Sequence, residues 1–278
     1  MRCAIALQRW AVAATVGAAV AVGAPLLLAQ APAPGSADWV ARRIQDRDTG
    51  RDSRFDMQMR MFDKQGRVRE RHLMVAGFRG AEKGERADRL LIRFLFPNDI
   101  KGTGFLVLEH PGADDERFLY LPALGRVRRI AGEEKQDSFV GSDFTYEDIG
   151  GRELSDYAYA IVDAAASWTD PGGKAWPAWK LESRAKDPNA TYPRVVSTVL
   201  KDAFVVVAAE NFNRRDEVVK TFEVRKLQQV SGIWTALELV MQDRRDRTRT
   251  ELSVTRAEYN VGLKEADFNR RALEQDAR

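Results

Sequence analysis

Between residues 54 and 78 the side chains change character at nearly every step. In "RFDMQMRMF", residues 54 to 62, Phe55, Met57, Met59 and Met61 fall to one side, and Asp56, Gln58 and Arg60 to the other. An extended chain reverses face at each residue, whereas a helix returns to a face only every 3.6, so this pattern belongs to a strand. "DKQG" at Asp63 to Gly66 supplies a turn. "RVRERHLMVAGF" then returns with Arg67, Arg69 and Arg71 facing one way and Val68, His72 and Met74 the other. The spacing predicts a hairpin with one apolar face.

The next runs are apolar on both sides. "RLLIRFLFP", residues 89 to 97, sets Leu90, Ile92, Phe94 and Phe96 against Leu91, Arg93 and Leu95, and "GTGFLVLEH" and "ERFLYLPAL" are equally full. Such strands must be covered on both faces, by a helix on one and by more sheet or a ligand on the other. Five further strand-like runs cover 179–185, 193–200, 203–212, 217–229 and 233–243, and a last one, 247–260, carries Leu252, Val254 and Thr255. Helical signals are few. "SADWVARRIQDRDTG" offers Ser36 as an N-cap, Trp39, Val40 and Ile44 at helical spacing, and Gly50 as a stop, while "SDYAYAIVD" from Ser155 and "KEADFNRRALEQ" from Lys264 are shorter candidates. The expected class is α+β, mainly β: a curved antiparallel sheet with a few helices inside it or across its mouth.

The N-terminus bounds the compartment. Residues 1 to 31 begin with Met1, Arg2 and Arg9, run apolar from Trp10 to Leu28 and end in Ala29-Gln30-Ala31, the layout of a secretory signal cleaved near Ala31. A membrane anchor is the alternative, opposed by an Ala- and Gly-rich span that Pro25 interrupts and that no basic flank follows. Cleavage after Ala31 would leave Pro32 first, an unfavourable junction, so a cut a residue or two away also fits. The formal net charge is +3, and the signal takes two arginines and no acid with it, leaving +1. That balance gives no support to nucleic-acid binding. Cys3, the single cysteine, leaves too, and it precedes the apolar run, so it is not the acylated cysteine of a lipoprotein. A soluble periplasmic protein without disulfides is expected, as a monomer. Residues 32–37 form a short lead, and 38–278 suit one domain.

Little in the chain points to catalysis. Two histidines, His72 and His110, cannot assemble a His-based triad or a three-histidine metal site. Ser138 and Ser142 lack the G-x-S-x-G elbow, and "KGTG" at Lys101 to Gly104 is a turn, too short for a phosphate loop. Carboxylates remain: Asp143 with Glu147 or Asp148 as a glycosidase pair, and the cluster "ADDE" at 113 to 116. "DSFVGSDFTYED" lacks EF-hand ligand spacing, so calcium is not supported. No cofactor or metal is expected.

"DSFVGSDFTYEDIGG", residues 137 to 151, reads as a structural loop at the rim, with Gly141 permitting a bend, Phe139 and Phe144 tucked beneath, and Asp143 accepting from backbone amides. Its rival reading is a docking surface, with Arg126, Arg128 and Arg129 of "RVRRI" meeting a lipid headgroup or an acidic partner, beside Asp143 and Tyr146. The wider block "LPALGRVRRIAGEEKQDSFVGSDFTYEDI", residues 121 to 149, resembles the signature of the bacterial outer-membrane lipoprotein-sorting family, the LolA-like proteins often found beside RND-type transporters. "MFDKQGRVRERHL", "FLFPNDIKGTGFL", "RFLYLPALGRVRRI", "YPR" at 192–194, "IWTALELVMQD" and "DFNRRAL" follow the family's order, so the resemblance runs from Ser36 to Leu273.

The resemblance implies a half-open antiparallel β-barrel, with helices covering the concave face and an apolar cavity for acyl chains. Candidate lining residues are Phe55, Met57, Met59, Met61, Met74, Ile92, Phe94, Phe96, Phe105, Phe118 and Tyr120, each of which also suits ordinary core. The implied function is a periplasmic carrier of a lipid or lipoprotein acyl chain, passed between an inner-membrane transporter and the outer membrane. Two other readings stay open: an accessory protein that docks an RND-type transporter and carries nothing, and a carbohydrate-active enzyme.

Overall fold

The computed structural model describes residues 32–82, 85–152 and 154–274; the expected signal, residues 1–31, lies outside them. The predicted hairpin is β1 (Asp52–Phe62) with β2 (Val68–Phe78). A two-residue ladder, β3 (Ala81–Glu82) with β4 (Glu85–Arg86), leads to β5 (Arg89–Phe96), β6 (Gly104–Leu108), β7 (Glu116–Leu121) and β8 (Arg126–Arg129). Irregular chain follows, and then β9 (Tyr157–Asp163), β10 (Ser167–Thr169), β11 (Ala175–Ala185), β12 (Arg194–Leu200), β13 (Val206–Phe212), β14 (Val218–Val230), β15 (Ile233–Asp243) and β16 (Thr248–Tyr259).

All but the small ladder join one 14-stranded sheet in the order β10-β11-β12-β13-β14-β15-β16-β1-β2-β5-β6-β7-β8, with β9 on β11. The pairing is antiparallel throughout, and β16 on β1 ties the two halves of the chain together. The path ends at β10 and β8, so the sheet is open. One cluster of buried side chains contains Leu119 of β7, Met241 of β15 and three rings from the irregular segment, Phe139, Phe144 and Tyr146. Six strand spacings separate β7 from β15, about 29 Å in a flat sheet. A single short segment reaches both because the sheet curls around it, giving a half-open barrel with an inner and an outer face.

Residues directly opposite each other in a ladder share a face. Phe55, Val75, Ile92, Phe105 and Leu119 therefore make one row across five strands of the inner face. The outer face of the same strands carries Ala76, Leu91, Leu106 and Phe118, covered by Phe268 and Leu273 of the C-terminal segment. These strands are thus apolar on both sides for two different reasons, a loop inside and a tail outside.

Among the described residues there are three α-helices. α1 (Ala37–Asp46) is capped by Ser36, whose Oγ accepts from the Trp39 N–H at 3.2 Å, and it seats Val40 and Ala41 against Leu181 and Val199. It ends four residues before Gly50. α2 (Tyr146–Gly150) lies within the inner segment, and α3 (Arg270–Glu274) follows a 3₁₀ turn at Glu265–Asp267. "SDYAYAIVD" is not helical beyond the 3₁₀ turn Leu154–Asp156 that opens it. Its Tyr157, Tyr159 and Ile161 alternate as β9 along β11, so period two prevails over the helical reading.

Candidate functional site

The segment 137–151 is a plug seated on the inner face, deeper than a loop at the rim. Phe139 is buried with its ring centroid 5.3 Å from that of Phe105, 5.9 Å from Phe94 and 5.5 Å from Tyr146, and Phe105 meets Tyr146 at 5.4 Å. Offset and edge contacts of this kind add about 0.5–1.5 kcal/mol per pair beyond the area buried. The bend that inserts Phe139 needs two consecutive left-handed residues, Gly141 at φ 75° and Val140 at φ 49°. Glycine takes this conformation freely; a β-branched valine does so under strain.

Polar contacts fasten the plug. The Arg71 guanidinium, on a residue only 8% exposed, donates to the Val140 carbonyl, and its carbon lies 5.6 Å from the Phe94 ring centre. Burial lowers its pKa. Asp143 accepts from the hydroxyls of Thr248 and, at 2.6 Å, Thr250, and its own N–H donates to the Thr250 oxygen at 2.9 Å. The Lys220 ammonium donates to the Asp143 carbonyl at 2.5 Å. Asp143 is thus held by hydroxyls and an ammonium, where backbone amides were expected. A capping box, with Thr145 and Asp148 bonding each other's backbone N–H at 3.0 Å, starts α2.

The predicted residues divide between the two faces. Phe55, Met57, Met59, Met61, Ile92, Phe94 and Phe105 lie on the inner face; Phe55 and Met57 are half-buried and the rest buried. Met74 does not belong to this stripe. It sits opposite Asp56 and Arg93, and the inward residues of β2 are Arg71, Leu73 and Val75. Phe118 and Tyr120 also face outward, beneath the C-terminal segment. Phe96 is 47% exposed at the end of β5, its ring centroid 5.2 Å from that of His72, so it lines no interior. Arg126 and Arg128 stand opposite Leu121 and Leu119 on the inner side of the edge strand, with Arg128 paired to Glu134 at 3.0 Å, whereas Arg129 stands opposite Phe118 on the outer side. Tyr146 is buried, and Asp143 is tied to β16, so neither offers a free docking surface. Arg71, Lys220, Thr248 and Thr250 escaped the sequence reading because their bonds to the plug span 69 to 107 residues.

A cavity opens at each end of the plug. Near Asp143 lies one of about 360 Å³, lined by Met61, Arg69, Lys220, Asp243 and Arg245 among others. Near Gly150 lies one of about 280 Å³, lined by Gly77, Leu90, Val107 and Ile149 and by the polar Thr49, Asp52, Arg79, Arg86, Asp88 and Glu109. Burial chiefly, with the Asp88 charge in addition, pushes the Glu109 carboxyl up to about 7, although Oε2 accepts from the Asp88 N–H at 2.8 Å.

Carboxylates proposed for catalysis serve the fold. Asp148 bonds Arg152 at 2.9 Å and Tyr192 at 3.2 Å, Glu147 accepts from Thr191, and Asp115 pairs with Arg117 at 3.0 Å. His72 bonds Glu70 and His110 bonds Glu82. Among the described residues no group of three or more His, Cys, Asp or Glu is placed to hold a metal ion, and no helix is long and apolar enough to cross a membrane.

A LolA superfamily protein from Nitrosomonas europaea has the same fold, with a TM-score of 0.63 at 13% identity over 85% of this chain and 99% of that one. A family model described as "uncharacterized protein" matches residues 86–275, and the chain belongs to that family, DUF1329. The crystal structure of a DUF1329 family protein from Desulfovibrio piger is similar at 29% identity and a TM-score of 0.77, covering 85% of this chain and 97% of that one. A Vibrio parahaemolyticus domain described as outer membrane lipoprotein-sorting is similar at 28% identity and a TM-score of 0.76, covering 86% and 98%. No curated protein matches the chain.

Proposed function

We propose that this protein is a periplasmic carrier that shelters an acyl chain of a lipid or lipoprotein on its inner face and passes it between an inner-membrane transporter, of RND type, and the outer membrane. The observation that carries the reading is how the inner face is closed: Met59, Leu73, Ile92, Phe94, Phe105 and Leu119 are covered by one loop with polar fastenings, where a second sheet would close a permanent core. Likeness to the Vibrio domain supports the same reading. Magnitudes fit a reversible exchange. Burying about fourteen methylenes gains roughly 11 kcal/mol, and exposing Phe139, Val140, Phe144 and Ile149 costs about 6–12 kcal/mol, to which Tyr146 adds. A chain can displace the plug, and the plug can help expel the chain.

The test is uptake of a fluorescent fatty acid by the exported protein, with cysteines placed at Asp143 and Thr250. The reduced form should bind near one to one, and the oxidised form, its plug bolted to β16, should bind at least tenfold more weakly. Failure of the reduced form and of the wild type to bind removes the carrier reading. Dense filling of the interior by Phe139, Phe144 and Tyr146 favours one second reading, a docking protein that carries nothing. Transporter co-purification without lipid uptake distinguishes it.

A further inference from the structure

The cavity at the Gly150 end of the plug is built differently from the apolar face below it. Its floor continues that face: Ser53, Gly77, Leu90 and Val107 stand opposite one another in the row above Phe55, Val75, Ile92 and Phe105. The small Ser53 side chain and the lack of one at Gly77 leave this end unfilled, and Ile149 of α2 also lines it. Guanidinium groups crowd its rim. Arg79 Nη2 donates to the Thr49 hydroxyl and to the Arg47 carbonyl, both at 2.9 Å, and Arg86 Nη2 approaches the same hydroxyl at 3.5 Å. Two cations thus converge on one Thr49 oxygen, whose proton remains available for donation.

Arg86 is answered by Asp88. Arg79 is not answered in the same way: its Nε is buried without a hydrogen-bond partner, and both partners of Nη2 are uncharged. Burial first, and the Arg86 charge second, hold the Arg79 pKa below its ordinary value against the opposing charges of Asp88, Asp48 and Asp46. Arg47 is lowered chiefly by burial, with Arg86 and Arg79 adding to it. Nearby, Glu109 is the rim carboxylate least able to compensate, because burial favours its protonated form. The other lining carboxylates, Asp52 and Asp88, are paired with Arg51 and Arg86, so Arg79 is the guanidinium here whose buried hydrogen-bond capacity is least used, and a guanidinium fork suits phosphate or carboxylate oxygens.

We propose that this cavity binds the anionic head, phosphate or carboxylate, of a single-headed amphiphile, between Arg79, Arg86 and the Thr49 hydroxyl, with the acyl chain running down past Leu90, Val107 and Ile149. The proposal rests on the carrier reading and narrows it to anionic cargo. It assigns head recognition to the Arg79 rim, away from Arg126, Arg128 and Arg129 on the edge strand.

The experiment is displacement of a fluorescent fatty acid from the exported protein by dodecyl phosphate, by dodecanol and by inorganic phosphate, for the wild type, Arg79→Gln and Thr49→Val, with melting curves confirming the fold. Dodecyl phosphate should bind at least tenfold tighter than dodecanol, and Arg79→Gln should erase that preference while leaving dodecanol unchanged. Thr49→Val should reduce the preference several-fold, which keeps the test decisive should Arg79→Gln fail to fold. Equal affinity of the wild type for the two amphiphiles overturns the head site and leaves the carrier standing. Inorganic phosphate binding as tightly as dodecyl phosphate overturns the amphiphile in favour of free phosphate. No uptake of any acyl probe overturns the carrier reading, and this site with it.

Discussion

Gly104 has no room for a side chain. A Cβ there would lie 2.9 Å from Leu273 Cδ2, and Leu273 is itself fully buried and unable to swing away. Gly104→Val should lower the unfolding free energy by about 1–3 kcal/mol, read from the urea midpoint; an unchanged midpoint would show that the C-terminal segment is not packed on β6. Glu109 makes a second prediction at this scale. Its folded pKa of about 7 stands above its ordinary 4.5, raised by burial and by Asp88 and Asp115 against the opposing effect of Arg86. Below both values the folded and unfolded chains are equally protonated. Between them only the folded chain keeps the proton, so the contribution to stability falls as pH rises through about 4.5 to 7 and is flat above. Glu109→Gln should remove that part of the slope in urea titrations at pH 5 and pH 8. Neither residue announced itself in the sequence: Gly104 read as the end of a turn, and Glu109 carried no signal, because each owes its character to chain brought in from elsewhere.

Strands and turns were the legible elements. Alternation located β1, the "DKQG" turn and the long strands β14 to β16, and the doubly apolar runs correctly announced cover on both faces. Alternation also misled. Arg71 is charged yet faces inward to hold the plug, so its neighbours His72 and Met74 were assigned the apolar side that belongs to Leu73 and Val75. The inner face was legible for Met59, Phe94 and Phe105 and missed for Leu73, which the inward-facing Arg71 two residues before it concealed. The plug could be suspected from its three aromatics, but its seat could not, since the Thr248 and Thr250 partners lie 105 and 107 residues away. As an element it should open locally. Asp143→Ala removes both hydroxyl contacts of the carboxylate, so amide exchange at residues 139–146 should quicken at least tenfold while β11 to β13 keep their protection. Equal quickening across the sheet would mean that Asp143 supports global stability and the plug has no independent motion.

Among the described residues one large open sheet curls around one loop, with the C-terminal segment packed on its outside. That plan places an apolar inner face, with Met59, Met61, Phe94 and Phe105, beneath a single segment, and under the carrier function proposed above the methionines would adapt to varied chains. Rigid closure by a second sheet would have served stability better. Native mass spectrometry of the protein isolated gently from the periplasm, followed by organic extraction, tests carriage most directly. The account predicts a population heavier by one amphiphile, near one to one, with a phosphate or carboxylate head in the extract. A bare protein mass, with no uptake of fatty acid afterwards, would contradict it.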